Sequence, residues 1–129
     1  MIGLKNCTPK EFEYLYDKYN IKTDLNLDVP TFFFSLVMGE DIIGYVKLIY
    51  KEENYYLEEI KYDDGMEKFN RFFLKCIAYK LYLKKKKFFY SKIFFKNISS
   101  VKKIKDNLYI YDVDKILDEG KLCGKCHAK

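Results

Sequence analysis

The sequence predicts one mixed α/β domain: a mostly antiparallel central sheet of about six strands, flanked by helices, with the long helix after the fourth strand. Three observations carry this. Thr31 to Met38, Asp41 to Lys51 and Tyr55 to Tyr62 are strand-like runs joined by short polar links, as in an antiparallel meander. Phe69, Phe72, Phe73, Cys76, Ile77 and Leu81 recur at three- and four-residue steps, the period of a helix. A chain of 129 residues that is 49% hydrophobic can bury one core without disulfide or metal staples.

Taken in order, Met1 to Cys7 suits a short first strand. Thr8-Pro9-Lys10-Glu11 opens a helix: Thr8 can cap, Pro9 fits the first turn, and Glu11 completes a capping box. Phe12, Leu15, Tyr16 and Tyr19 continue it at helical spacing. The stretch from Asn20 to Pro30 is polar and irregular. Thr31 to Met38 is apolar on both faces, as a central strand would be. Gly39-Glu40-Asp41 and Glu52-Glu53-Asn54 turn the chain, and Asp63-Asp64-Gly65 closes the meander. The long helix covers roughly Met66 to Lys86, and the cations of Lys84 to Lys87 meet the negative pole of its dipole. Phe88 to Phe95 reads as a strand, Asn97 to Asp106 as a capped short helix, and Leu108 to Val113 as a last strand. The domain spans residues 1–117, and residues 118–129 form a tail.

The formal charge of +5 raises nucleic acid and membrane surfaces as partners. Of 24 basic residues only Arg71 is arginine, and readers of phosphates and base edges lean on its planar fork. Heavy use of Lys, Ile, Asn, Phe and Tyr is what an AT-rich genome produces, so no nucleic-acid partner is expected. No run reaches the roughly eighteen apolar residues of a membrane span, so no membrane is expected either. Met1 to Lys10 lacks the apolar core and cleavage site of a signal peptide. A cytoplasmic, reducing location follows, with cysteines as thiols or metal ligands.

Two segments point to a family. Tyr56-Leu57-Glu58-Glu59-Ile60-Lys61-Tyr62-Asp63 places two acids between aliphatic residues on the fourth strand, and Asn97-Ile98-Ser99-Ser100 follows the next. Together with the element order from about Met1 to Val113, they resemble the GNAT N-acetyltransferase superfamily. The resemblance implies an acetyl-CoA cofactor and an amine acceptor, small molecule or protein. It implies that the fourth strand splays from the fifth, so that backbone groups of Ile60, Lys61 and Tyr62 pair with the pantetheine arm. It places Asn97 beside that arm. It also implies a phosphate-binding loop over Lys68, Phe69, Asn70 and Arg71, whose amides would cradle the pyrophosphate at the helix start.

The sequence departs from the family at two places. Neither alignment of the loop keeps the family's glycine pair, and Asp63, Asp64 and Glu67 bring negative charge close by; Lys68 and Arg71 can offset it by pairing with phosphate directly. The family's tyrosine acid, seven residues after the asparagine, falls on Ile104, which has no proton to give.

Amine acetylation needs an acceptor for the amine's proton. Relatives often use a strand carboxylate acting through water, which leaves Glu58 and Glu59. Strict alternation puts them on opposite faces, so one at most reaches a cleft, and Glu59 is the choice. The competing reading is an exposed glutamate paired with lysine across the sheet. In the tail, Cys123-Gly124-Lys125-Cys126-His127 matches a haem-attachment pattern, but nothing suggests the export that chemistry needs. Three readings of Cys123, Cys126 and His127 stay open: a frayed terminus, a zinc site completed by Cys7, Cys76 or a partner chain, and a redox dithiol. Cys76 reads as a small buried hydrophobe. Three functions remain: an acyl-CoA-dependent N-acetyltransferase, an inactive descendant that binds a ligand or protein, and a zinc- or thiol-dependent regulator. Exchange of a terminal strand between protomers would give a homodimer.

Overall fold

The computed structural model describes residues 2–21, 29–96, 98 and 100–124, the side chains of 119–124 excepted. Among the described residues seven strands and three helices follow one another: β1 (Ile2–Asn6), α1 (Pro9–Tyr19), β2 (Thr31–Met38), β3 (Asp41–Lys51), β4 (Asn54–Tyr62), α2 (Asn70–Leu83), β5 (Phe88–Ser91), β6 (Val101–Lys105), β7 (Leu108–Asp112) and α3 (Val113–Gly124). A single 3-10 turn, Glu67–Phe69, leads into α2. The strands form one sheet in the order β1-β2-β3-β4-β5-β7-β6. Every neighbouring pair is antiparallel except β4–β5, which is parallel. Among the described residues no helix is long and apolar enough to cross a membrane.

The expected elements form where the local chemistry specifies them. At the start of α1, Thr8 Oγ1 accepts from the Glu11 amide at 3.2 Å, and Glu11 Oε1 accepts from the Thr8 amide at 3.0 Å. This reciprocal pair satisfies two of the helix's orphan donors. The β3–β4 hairpin turns on Glu52 and Glu53, with φ of 53° and 67°. Left-handed backbone at both turn positions suits the twist of a two-residue hairpin, although Asn-Gly would adopt it at lower cost. At Gly44 a Cβ would sit 2.2 Å from the Lys61 carbonyl oxygen, so only glycine lets β3 lie this close to β4.

The two sheet faces are covered differently. On one, α2 contributes Phe73, Leu74, Ile77, Ala78 and Leu81 to a core shared with Val46, Leu48, Leu57, Phe89 and Tyr111. Full burial of each large apolar side chain contributes about 1.5–3 kcal/mol. On the other face α1 brings Leu15 against Ile21 and Tyr45, with Phe12, Tyr19 and Phe33 around them.

Three expectations are corrected. The sheet has seven strands rather than about six. The extra one is β6, where a helix was expected: a turn at Asp106-Asn107, with Asn107 at φ 64°, folds Val101–Lys105 back onto β7. β6 lies at the margin of the sheet, with Lys102, Lys103 and Lys105 exposed. The long helix is shorter than Met66 to Lys86, and its buried stripe is rotated. Phe73, Ile77 and Leu81 form the centre, while Phe72 is 54% exposed. α3 follows β7 directly and packs in through Val113 and Ile116.

Candidate functional site

β4 and β5 pair at two positions only, Tyr56↔Tyr90 and Leu57↔Ser91. β5 ends there, whereas β4 continues to Tyr62. Ser91 marks the parting point: its hydroxyl donates to the Leu57 carbonyl at 2.7 Å and accepts from the Ile93 amide at 3.0 Å. The Tyr111 hydroxyl then holds the departing chain, donating to the Ile93 carbonyl and accepting from the Phe95 amide at 2.7 and 3.1 Å. Burial pushes the Tyr111 phenol up to about 12, so it stays a neutral donor. Beyond Leu57 the β5-facing edge of β4 lacks a β5 partner.

A bulge in β4 decides what that stretch presents. Lys47 is opposite Glu59, and the adjacent Leu48 is opposite Leu57, so Glu58 is the extra residue. The expectation that Glu58 and Glu59 point to opposite faces is therefore corrected. Glu58 Oε1 lies 3.7 Å from Lys47 Nζ, and Glu59 Oε1 accepts a short hydrogen bond from the Tyr45 hydroxyl. Tyr45 and Lys47 are two apart on β3, so both carboxylates reach the α1 side. Glu59 Oε2 faces Lys61 Nζ at 3.8 Å. Burial first, and the Glu59 carboxylate second, push the Tyr45 phenol far above its ordinary value. Tyr45 is a fixed donor that orients Glu59.

Next to this cluster, the Tyr19 hydroxyl donates to Asp63 Oδ1 and lies 3.1 Å from the Ile43 carbonyl, while Lys18 Nζ lies 2.8 Å from Asp63. Burial pushes the Asp63 carboxyl up, but the Lys18 and Tyr19 hydrogen bonds outweigh it and hold the group below its ordinary value. Asp63 thus fastens α1 to the end of β4, and its charge is matched by Lys18.

The loop before α2 is less open than the family comparison requires. The amides of Asp63, Met66 and Phe69 donate to the carbonyls of Ile43, Asp63 and Met66 at 2.8, 3.2 and 2.9 Å, and the Asn70 amide donates to the Glu67 carbonyl. These four amides are committed inside the protein. Phe69 and Tyr62 pack on the core, with Tyr62 5.2 Å from the Phe73 ring. Ile60 also packs there, leaving its backbone rather than its side chain for any ligand. Lys68 Nζ lies 5.3 Å over the Phe69 ring, and Arg71 is exposed on the first turn of α2. Asn70 Oδ1 is buried and has no hydrogen-bond partner among the described residues.

The structure thus brings Glu58, Glu59 and Lys61 together at the bulge, and sets Lys68, Asn70 and Arg71 at the start of α2. Ile104 lies apart from both, half-exposed on β6. Asn97, Cys126 and His127 lie outside the described residues, and Cys123 lies in α3 with its side chain undescribed. Among the described residues no three potential metal-ligating side chains converge. Cys7 and Cys76 are free thiols, raised by burial. Sequence reasoning passed over Tyr45 and Ser91, and took Tyr19 only as part of a helix stripe. One signal was available: a tyrosine inside an apolar strand must bury a hydroxyl, and a buried hydroxyl needs a partner.

Compared with known protein families, curated proteins and solved structures, the chain matches no family model, no curated protein and no solved structure.

Proposed function

We propose that the chain is an acyl-CoA-dependent N-acetyltransferase of the GNAT type, with the gap between β4 and β5 as its cofactor cleft. The observation that carries this reading is the parting of the two strands after Leu57, which leaves Glu59 to Tyr62 without a β5 partner beside a carboxylate cluster. The backbone of Ile60, Lys61 and Tyr62 would hold the pantetheine arm as an added strand does. Because four loop amides are committed internally, the pyrophosphate charge falls to the side chains of Lys68 and Arg71. Bound acetyl-CoA would supply a thioester whose acyl group passes to an amine. Glu59, oriented by Tyr45, would take the proton from that amine through water.

The committed amides favour a second reading, an inactive GNAT-fold module that binds a ligand or protein in the same cleft. Calorimetry with acetyl-CoA, followed by a thiol-release assay over a panel of small amines and lysine peptides, separates the two. The enzyme reading expects a saturable complex at sub-millimolar ligand, weakened about tenfold or more by Arg71→Glu, and thiol release lost in Glu59→Gln. Binding without release supports the inactive module. A flat titration removes the enzyme reading and leaves the inactive module with another ligand or a protein partner.

A further inference from the structure

The C-terminal half of α2 carries features that neither the core nor the cleft uses. Tyr79, Tyr82 and Leu83 are 54%, 53% and 60% exposed. These three large side chains lie within one and a half turns of helix. Tyr82 and Leu83 line a groove of about 410 Å³ together with Lys85, Lys86, Lys87 and Asp114. Leu83 also lines a second hollow of about 580 Å³, together with Phe32, Phe33, Lys80 and Lys84. Leu83 is common to the two hollows, which are taken together as one trough.

The backbone of the lysine run is held in place. The amides of Lys84, Lys85 and Lys86 donate to carbonyls of Leu81 and Tyr82 at 2.9–3.1 Å, with Lys85 left-handed at φ 62°, and the Lys87 carbonyl accepts from Val113. Lys86 Nζ is engaged by the Glu53 carbonyl at 3.2 Å. Among the described residues Lys84, Lys85 and Lys87 have no carboxylate within ion-pair distance. One or two cations would satisfy the helix dipole. A run of four lysines beside exposed aromatics asks for a partner charge.

We propose that this trough docks an acidic, amphipathic segment of a partner protein, its apolar side chains over Tyr82 and Leu83 and its carboxylates against Lys84, Lys85 and Lys87. A protein segment is favoured over nucleic acid for two reasons. The patch contains no arginine, and the Tyr79 and Tyr82 rings lie nearly parallel at 19°, stacked against each other rather than splayed to receive bases. Tyrosine is enriched at protein interfaces.

The probes are a synthetic peptide of about fourteen residues with leucines at helical spacing and glutamate elsewhere, its lysine-for-glutamate counterpart, and an oligouridine of similar length. Amide NMR of the full chain reads where each binds. The acidic peptide should bind with shifts confined to Tyr79–Lys87 and to the lining residues Phe32, Phe33 and Asp114, and the lysine peptide should not. The paired variant Leu83→Ser, Lys84→Glu, all surface changes, should weaken binding at least tenfold while leaving far-ultraviolet circular dichroism unchanged. Absence of acidic-peptide binding, shifts elsewhere, affinity indifferent to the variant, or tighter binding of oligouridine at these residues would each overturn the proposal. Acetyl-CoA binding plays no part in the outcome, so failure here and failure of the cleft reading are distinguishable.

Discussion

The two faces of the sheet solve burial in opposite ways. Beneath α2 and α3 the contacts are apolar: Phe73, Ile77 and Leu81 meet Val46, Leu48 and Leu57, and Tyr111 has its hydroxyl tied to backbone. Beneath α1 the cluster is small and its tyrosines lead to carboxylates, Tyr45 to Glu59 and Tyr19 to Asp63. Apolar packing is non-directional and scales with area. Hydrogen-bonded tyrosine–carboxylate pairs add little net energy but fix positions. The lesson is a division of labour: one face supplies stability, and the other holds the carboxylates and the end of β4 in place.

The sharpest way to break this contrast is to truncate a residue of the apolar face. Phe73→Ala should cost about 3–5 kcal/mol, read as a lowered denaturant midpoint with unchanged slope. A loss under about 1 kcal/mol would show that α2 is not the main source of stability. On the α1 face, Tyr45→Phe should cost only about 1–2 kcal/mol, because the ring stays buried and Glu59 loses one donor. Its larger effect should fall on chemistry at Glu59, and a Tyr45→Phe protein with unaltered thiol release would separate the pair from catalysis.

The smallest effect belongs to the Lys18–Asp63 clamp, both partners of which are partly exposed. Asp63 is held below its ordinary value of 3.8, so its contribution is complete above that pH and fades as the pH falls through the depressed value. Lys18 is raised above its ordinary 10.5 by Asp63, so its contribution is complete below that pH and fades as the pH climbs past it. Stability scanned across pH should therefore show a plateau whose height drops by less than about 1 kcal/mol in Lys18→Met, discounted for solvent screening. A variant curve parallel to the parent beyond both ends of the plateau would identify the clamp; one with the same height throughout would remove it.

Much of the architecture was legible where periodicity and turn chemistry agree. The meander and its links, the capping box at Thr8 and Glu11, and a helix between the fourth and fifth strands all follow from alternation, spacing and caps. What escaped was set by tertiary context. Helical spacing in Phe69–Leu81 gives a stripe but not its central line, so Phe72 was counted inward although it faces solvent. Val101-Lys102-Lys103-Ile104-Lys105 fits a short helix as readily as an edge strand, and only the Asp106-Asn107 turn against β7 decides. Val113, Ile116 and Leu117 carry a helical spacing hidden behind the last strand. At the site, the two glutamates and Lys61 stood out as types, but their common orientation depends on one extra residue in β4, which alternation cannot reveal.

The lysines of β6 have a consequence for assembly. That strand ends the sheet on one side with Lys102, Lys103 and Lys105 exposed, and a second copy laid along it would bring like charges into register. Growth of the sheet from molecule to molecule is opposed there. The opposite rim, β1, is the less opposed outer edge: Ile2, Gly3 and Leu4 leave a single lysine, Lys5, on the strand.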